Sequence, residues 1–208
     1  MKKAVNNSGQ SLVEMLVAIS IVVVSLLGIL VLVNRSLGYN KVASEYYTAT
    51  YLAAEGIEIV KNFFDRSFLT SIAGNRDFYG WTGTNNIAPS GSYAIYLVDF
   101  DQNNWPAPIS CPALAGDEPK QEEVRKLFSN CSSSVLVPLN YDSSINIYNY
   151  NTGSPSKFRR IIIIDKPRQF SGASVNLDYR VTSAVGWESR GGKFVVQLQD
   201  HFLPWKIP

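Results

Sequence analysis

An uncharged apolar run of 19 residues, Met15–Val33 (MLVAISIVVVSLLGILVLV), constrains the fold more than any other feature. As a helix rising about 1.5 Å per residue, such a run spans the roughly 30 Å hydrocarbon core of a bilayer. Lys2 and Lys3 precede it, and the cytoplasmic bias of basic residues predicts an N-terminus inside and a chain outside after Val33. A cleaved secretory signal is the alternative, but its apolar core is usually about 7–15 residues long.

Composition limits what the rest of the chain can be. A length of 208 residues suits one head domain plus an appendage, and 46% hydrophobic residues suffice for a packed core. With 19 basic and 17 acidic residues, the net charge of +2 does not point to nucleic acid. One histidine, His201, and two cysteines disfavour dense metal clusters and histidine-based catalysis. We therefore expect no enzyme, no cofactor and no metal centre.

A single carboxylate, Glu14, lies directly against the apolar run. A charge carried toward the bilayer centre costs about 2.5–3.5 kcal/mol, so membrane acids usually have a partner. Met1 to Gly9 form a short polar, basic leader, and Gln10-Ser11-Leu12-Val13-Glu14 follow it directly. This arrangement resembles the class III signal of type IV prepilins and pseudopilins.

The resemblance implies a processing and assembly route. A membrane prepilin peptidase would cut between Gly9 and Gln10 and methylate Gln10, which stands where the family usually has phenylalanine. Glu14 would neutralise the N-terminal amine of a neighbouring subunit during assembly. The implied partners are other pilin subunits through the first helix, the peptidase, an assembly platform in the inner membrane, and membrane lipid before assembly.

The helix is predicted to continue past the apolar run, over about residues 11–64. Apolar residues recur there at steps of three and four, and no proline occurs before Pro89. Such a helix would be about 80 Å long. We expect a leader at 1–9, a transmembrane or filament-core half at 10–33, an amphipathic half at 34–66 and a head domain at 67–208. The recurring residues are Val42, Tyr46, Ala49, Ala53, Ile57, Val60 and Phe64.

The head is predicted to be an antiparallel sheet, which gives an α+β class and, by resemblance, a pilin fold. A Gly191-Gly192 pair should supply the positive backbone angles of the last hairpin. Ala54-Glu55-Gly56-Ile57-Glu58 and this hairpin resemble minor pilins of the PilV or pseudopilin-I type. Glu55 and Glu58 are interpreted as a solvated helix face. Strands are expected at 93–100, 135–139, 145–150, 158–165, 175–187 and 193–199.

Three places in the head could carry chemistry. Cys111 and Cys131 flank an acidic loop, and an extracytoplasmic location favours a disulfide over two free thiols. Asp99, Asp101 and Asn103 have the spacing of a calcium loop, but the turn glycine and the final glutamate are missing, so calcium is a weak candidate. A basic set could contact DNA or an acidic neighbour, although solvated strand faces are the favoured interpretation: Arg159, Arg160, Lys166 and Arg168.

Three function classes fit the sequence unequally. A minor pilin or pseudopilin of a type IV pilus or type II secretion-like filament is favoured, at the cytoplasmic membrane before assembly and on the cell surface afterwards. A major pilin would share these features and differ mainly in abundance. A membrane-tethered extracytoplasmic enzyme is disfavoured because the chain has no G-x-S-x-G, H-E-x-x-H or P-loop pattern.

Overall fold

The computed structural model describes residues 8–74, 92–102, 104–111, 120–165, 168–169 and 177–202, with side chains in 12–66, 92–102, 104–111, 120–165 and 178–202. By its internal contacts the chain divides into two compact units, Met1–Glu45 and Tyr46–Pro208.

The fold class is α+β, as predicted: a long N-terminal helix packs on an antiparallel sheet. The elements are α1 (Ser8–Gly74), β1 (Tyr93–Tyr96), α2 (Gln121–Asn130), β2 (Asn140–Asp142), β3 (Ile147–Asn149), β4 (Ser154–Pro155), β5 (Arg159–Asp165), β6 (Arg168–Gln169), β7 (Leu177–Ser189) and β8 (Gly192–Phe202).

Helix α1 contains 67 residues and extends beyond the predicted range at both ends. The predicted apolar stripe is confirmed in its second half, where Ala49, Ala53 and Val60 are fully buried. Tyr46 is 46% exposed but still contacts the sheet edge-on, with its ring centroid 5.6 Å from that of Trp187. Steps of three and four residues therefore place one face of this half against the sheet.

The main sheet is antiparallel and runs β1-β5-β7-β8, with the short β6 pairing the beginning of β7. In the β7–β8 hairpin Trp187 lies opposite Phe194 and Val185 opposite Val196, so these four side chains share one face of the sheet and pack in one apolar cluster. A second, three-stranded sheet has the order β3-β2-β4.

The turn between β7 and β8 has two central residues, since Ser189 pairs with Gly192. These central residues, Arg190 and Gly191, have φ values of 49° and 75°. The hairpin and the positive φ of Gly191 were predicted correctly, but the second positive angle belongs to Arg190 and not to Gly192. A two-residue turn of this kind needs positive φ at both central positions, and the strand register assigns the first of them to Arg190.

Helices cover both faces of the main sheet within the unit Tyr46–Pro208. On one face, α1 residues such as Val60 pack with Ile162, Ile164 and Val181. On the opposite face, the buried side of α2 packs with sheet residues of alternate register: Ile161, Ile163, Ala184 and Val195. Strands buried on both faces are continuously apolar, which explains the run of four isoleucines in β5.

Two predictions of secondary structure were wrong in the segment between β1 and β5. The stretch 135–139 is not a strand, because the N–H groups of Val135 and Leu136 both bond to the carbonyl of Ser132 and close a turn. Helix α2 was interpreted only as part of an acidic loop. Its buried residues, Val124 and Leu127, are three apart, and Glu122 and Glu123 in its first turn favour a helix N-terminus.

Candidate functional site

The first half of α1 exposes a long apolar surface. Between Leu12 and Val33 the exposed fraction of the large apolar side chains ranges from 47% at Val23 to 70% at Val24. This exposure is distributed over all sides of the helix rather than along one stripe. By length and composition α1 is one candidate membrane-spanning helix, close to the N-terminus. An apolar surface of this extent is typical of a segment that contacts lipid or other helices.

The polar side chains within this run are satisfied by the helix itself. The hydroxyl of Ser20 donates to the carbonyl of Leu16 at 2.7 Å, and that of Ser25 donates to the carbonyl of Ile21 at 2.8 Å. A Cβ atom added at Gly28 would meet no other atom within 4 Å. The run therefore presents apolar atoms and bonded hydroxyls, which suits a medium without water.

The predicted assembly residue Glu14 lies on α1 with an exposed side chain. In the part of the chain that the structure describes, no ion pair includes it. The backbone of Gly9 and Gln10 belongs to α1, but the side chain of Gln10 and residues 1–7 lie outside the described residues. The predicted cleavage and methylation positions therefore remain predictions.

The second half of α1 meets the sheet most closely at Gly56. A Cβ atom there would lie 2.4 Å from Ser183 Oγ, 2.9 Å from Ile162 Cδ1 and 3.1 Å from Arg160 Cδ. Two of these distances are shorter than real Cβ atoms show. Glycine at this position lets the helix backbone approach the sheet.

Arg160 is fully buried and joins α1 to two other parts of the head. Its Nη1 lies 3.3 Å from the carbonyl oxygen of Leu52 and 3.3 Å from Glu55 Oε1, both on α1. Its Nη2 donates to the carbonyl of Val98 at 2.9 Å. The interpretation of Arg160 as part of a solvated strand face was wrong, because its side chain is 1% exposed and forms an ion pair with Glu55, whose side chain is 34% exposed. Gly56, beside Glu55, was a sequence signal for a close contact with the sheet.

Tyr150, which directly follows β3 of the three-stranded sheet, joins that sheet to Arg160. Its hydroxyl donates to the carbonyl of Arg160 at 2.9 Å, and its N–H donates to Asp99 Oδ2 at 2.7 Å. Burial raises the pKa of Tyr150 to about 12, although the charge of Arg160 opposes that rise. The neutral phenol is therefore the form that the folded protein favours.

The weak calcium candidate, Asp99, Asp101 and Asn103, is only partly described. Both carboxylate oxygens of Asp99 accept backbone N–H groups, from Phe100 at 2.9 Å and from Tyr150 at 2.7 Å. Asp101 accepts a bond from the amide of Asn151 at 2.8 Å. Asn103 lies outside the described residues. In the described residues these carboxylates stabilise the turn after β1.

The predicted disulfide is present. Cys111 and Cys131 are bonded across a sequence separation of 20 residues, with their Cα atoms 5.1 Å apart. Cys131 is the residue directly after α2 and belongs to the apolar cluster on that face of the sheet. The bond therefore attaches the C-terminal end of α2 to the segment that follows β1.

Two cavities, of about 510 and about 460 Å³, flank the second half of α1. Glu55 and Phe100 line both of them, and the smaller cavity also contains Tyr51 and Ile147. In the described residues no group of three or more histidine, cysteine or acidic side chains is arranged to hold a metal ion.

The chain matches no protein-family model, no curated protein and no solved structure.

Proposed function

We propose that this chain is a structural subunit of a type IV pilus or type II secretion-like filament, a minor pilin or pseudopilin. It would insert in the cytoplasmic membrane with its N-terminus inside, be cut after Gly9, and assemble through α1. The observation that carries the proposal is the apolar half of α1, exposed on all sides and preceded by a single carboxylate five residues after Gly9. We infer that lipid or neighbouring subunits cover this surface.

The second half of α1 supports the same proposal. It is joined to the sheet by apolar packing, by the close approach at Gly56 and by the Arg160–Glu55 ion pair. One continuous helix thus carries a segment suited to lipid or protein partners and a segment that belongs to a folded head. Such a helix suits a subunit whose first segment assembles with other subunits and whose second segment holds the head at the filament surface.

The N-terminus of the mature protein tests the proposal. Intact-mass analysis of protein sheared from cell-surface filaments should give a chain that begins at Gln10 and carries one added methyl group. A Gly9→Leu variant, in which the residue before the cut is bulky, should remain full length in membranes and be missing from filaments. A mature chain beginning at Met1, or after Val33, would contradict the proposal.

Abundance distinguishes a minor from a major subunit. Quantitative mass spectrometry of the same sheared filaments should find this chain as a trace beside a more abundant pilin. Recovery as the bulk protein would instead assign it as the major pilin of the filament.

A further inference from the structure

The apolar packing of α1 on the sheet does not by itself fix one position along the helix axis. The helix contributes Ala49, Leu52, Ala53, Ile57 and Val60, and the facing sheet residues are also aliphatic or aromatic. If α1 moved by one turn, about 5.4 Å, apolar side chains would again face apolar side chains. Hydrophobic contact is non-directional, so several axial positions would bury similar areas.

Gly56 favours the observed axial position sterically over the positions one turn away. A shift of one turn in either direction would bring Leu52 or Val60 to the place where Gly56 now faces Ser183 and Arg160. Since even a Cβ atom would lie only 2.4 Å from Ser183 Oγ, a larger side chain would force the helix off the sheet.

The contacts of Arg160 also favour the observed axial position of α1 over its neighbours. It contacts the Leu52 carbonyl, the Glu55 carboxylate and the Val98 carbonyl, and an axial shift of α1 would move the first two of these groups away from the guanidinium while Val98 stayed in place. Its Nε is buried with no hydrogen-bond partner among the described residues. An arginine that is buried and incompletely bonded is a poor means of adding stability, whereas buried polar groups can specify register.

We propose that Arg160, with Gly56, fixes the axial register of α1 on the sheet. The proposed role is conformational specificity rather than stability, and it does not depend on the filament proposal. Replacing the guanidinium with an apolar side chain would leave only the steric fit at Gly56 to oppose a shift. Helix α1 would still pack on the sheet most of the time, but it would reach neighbouring positions more often, and there a larger side chain against Ser183 lifts it from the sheet.

A buried thiol on α1 can measure this sampling in the full-length chain in detergent. The two native cysteines are joined in a disulfide, so an Ala53→Cys variant provides one reactive thiol at a site that is 0% exposed. We expect Arg160→Met to raise the rate of iodoacetamide labelling at this thiol at least tenfold, with little change in the urea midpoint. Arg159→Met, at the neighbouring half-buried residue, is the matched control and should leave the rate unchanged.

The outcomes separate register from stability. A labelling rate that stays at the parent level in Arg160→Met would overturn the proposal. So would a rate that rises only in proportion to the unfolded fraction, because Arg160 would then be an ordinary stabilising residue. If Arg160→Met fails to fold, Glu55→Gln decides the question: faster labelling at an unchanged midpoint supports the proposal, and an unchanged rate refutes it.

Discussion

Helix α1 contains two stretches whose apolar residues have opposite surroundings. From Leu12 to Val33 the large apolar side chains are at least 47% exposed, whereas Ala49, Ala53, Ile57, Val60 and Phe64 are at most 8% exposed. Apart from Glu14, the first stretch exposes apolar residues on every side and has no charged side chain, whereas the second is apolar along a stripe that faces the sheet. Continuous helical structure therefore does not imply one environment, because the pattern of side chains decides what each stretch contacts.

The largest expected effect is a loss of filament incorporation when the carboxylate of Glu14 is removed. Glu14→Ala should leave cleavage after Gly9 and membrane insertion intact but reduce incorporation into filaments at least tenfold, because no carboxylate would remain to meet a neighbour's N-terminal amine. Such a pair need not add much stability, since desolvating two ions offsets most of their attraction, but it penalises any axial shift that separates them. Immunoblots of processed subunit in membranes and in sheared filaments measure the two steps.

Two variants sharpen this prediction. Glu14→Asp should incorporate to an intermediate extent, because the shorter stem moves the charge without removing it. Glu58→Ala removes an exposed carboxylate from the second stretch of the same helix and should assemble normally. Normal filament incorporation of Glu14→Ala would show that this carboxylate does not direct assembly.

The disulfide should affect only the head. Replacing both Cys111 and Cys131 with serine removes a constraint across 20 residues and should lower the free energy of unfolding by about 3 kcal/mol in the chain-entropy model. Urea denaturation of the full-length protein in detergent, followed by tryptophan fluorescence, measures this change. Processing after Gly9 should be unaffected, since the leader and the apolar run do not contain the bond. An unchanged urea midpoint would contradict the expectation.

Sequence reasoning predicted the parts of the fold that depend on local periodicity. The long helix, its stripe at Ala49 to Phe64 and the β7–β8 hairpin follow from spacing, whereas the disulfide was predicted from an expected extracytoplasmic location. It failed where tertiary contacts decide. Arg160 has the sequence context of an exposed strand residue, and only the approach of α1 at Gly56 shows that its guanidinium is buried and paired with Glu55.

In the candidate site, too, the features set by local pattern could be predicted and those set by partners could not. Exposure of the apolar run agrees with the sequence pattern because such a run lacks any polar face that could lie toward water. The proposed role of Glu14 depends on a neighbouring subunit, which a single chain does not contain. Helix α2 does have a sequence signal, since Val124 and Leu127 are three residues apart and follow Glu122 and Glu123, but ten residues between two cysteines fit an acidic loop as well as a short helix.

Two glycines on α1 provide a matched test of the two environments. Gly56→Ala places a Cβ 2.4 Å from Ser183 Oγ and 2.9 Å from Ile162 Cδ1, so the head should lose about 1–3 kcal/mol despite a gain in helix propensity. Gly28→Ala meets nothing within 4 Å and should leave the urea midpoint of the head unchanged. Equal stability of the two variants would mean that Ser183 and Ile162 move aside without cost.

The smallest effect comes from Tyr150 and emerges only at high pH. Its folded pKa, about 12, exceeds the ordinary value of 10.0 because of burial, so the folded state keeps the phenol proton to a higher pH than the unfolded chain does. The resulting stabilisation is complete below pH 10 and is lost as the pH rises through about 12. The difference in unfolding free energy between the parent and Tyr150→Phe should therefore fall from pH 8 to pH 11 by roughly 1 kcal/mol, since one pKa unit corresponds to about 1.4 kcal/mol. Urea titrations at both pH values measure the difference, with Tyr51→Phe, at a ring 75% exposed, as the control for loss of a hydroxyl. A difference that stays constant between the two pH values would show that the phenol of Tyr150 does not resist ionisation in the folded head.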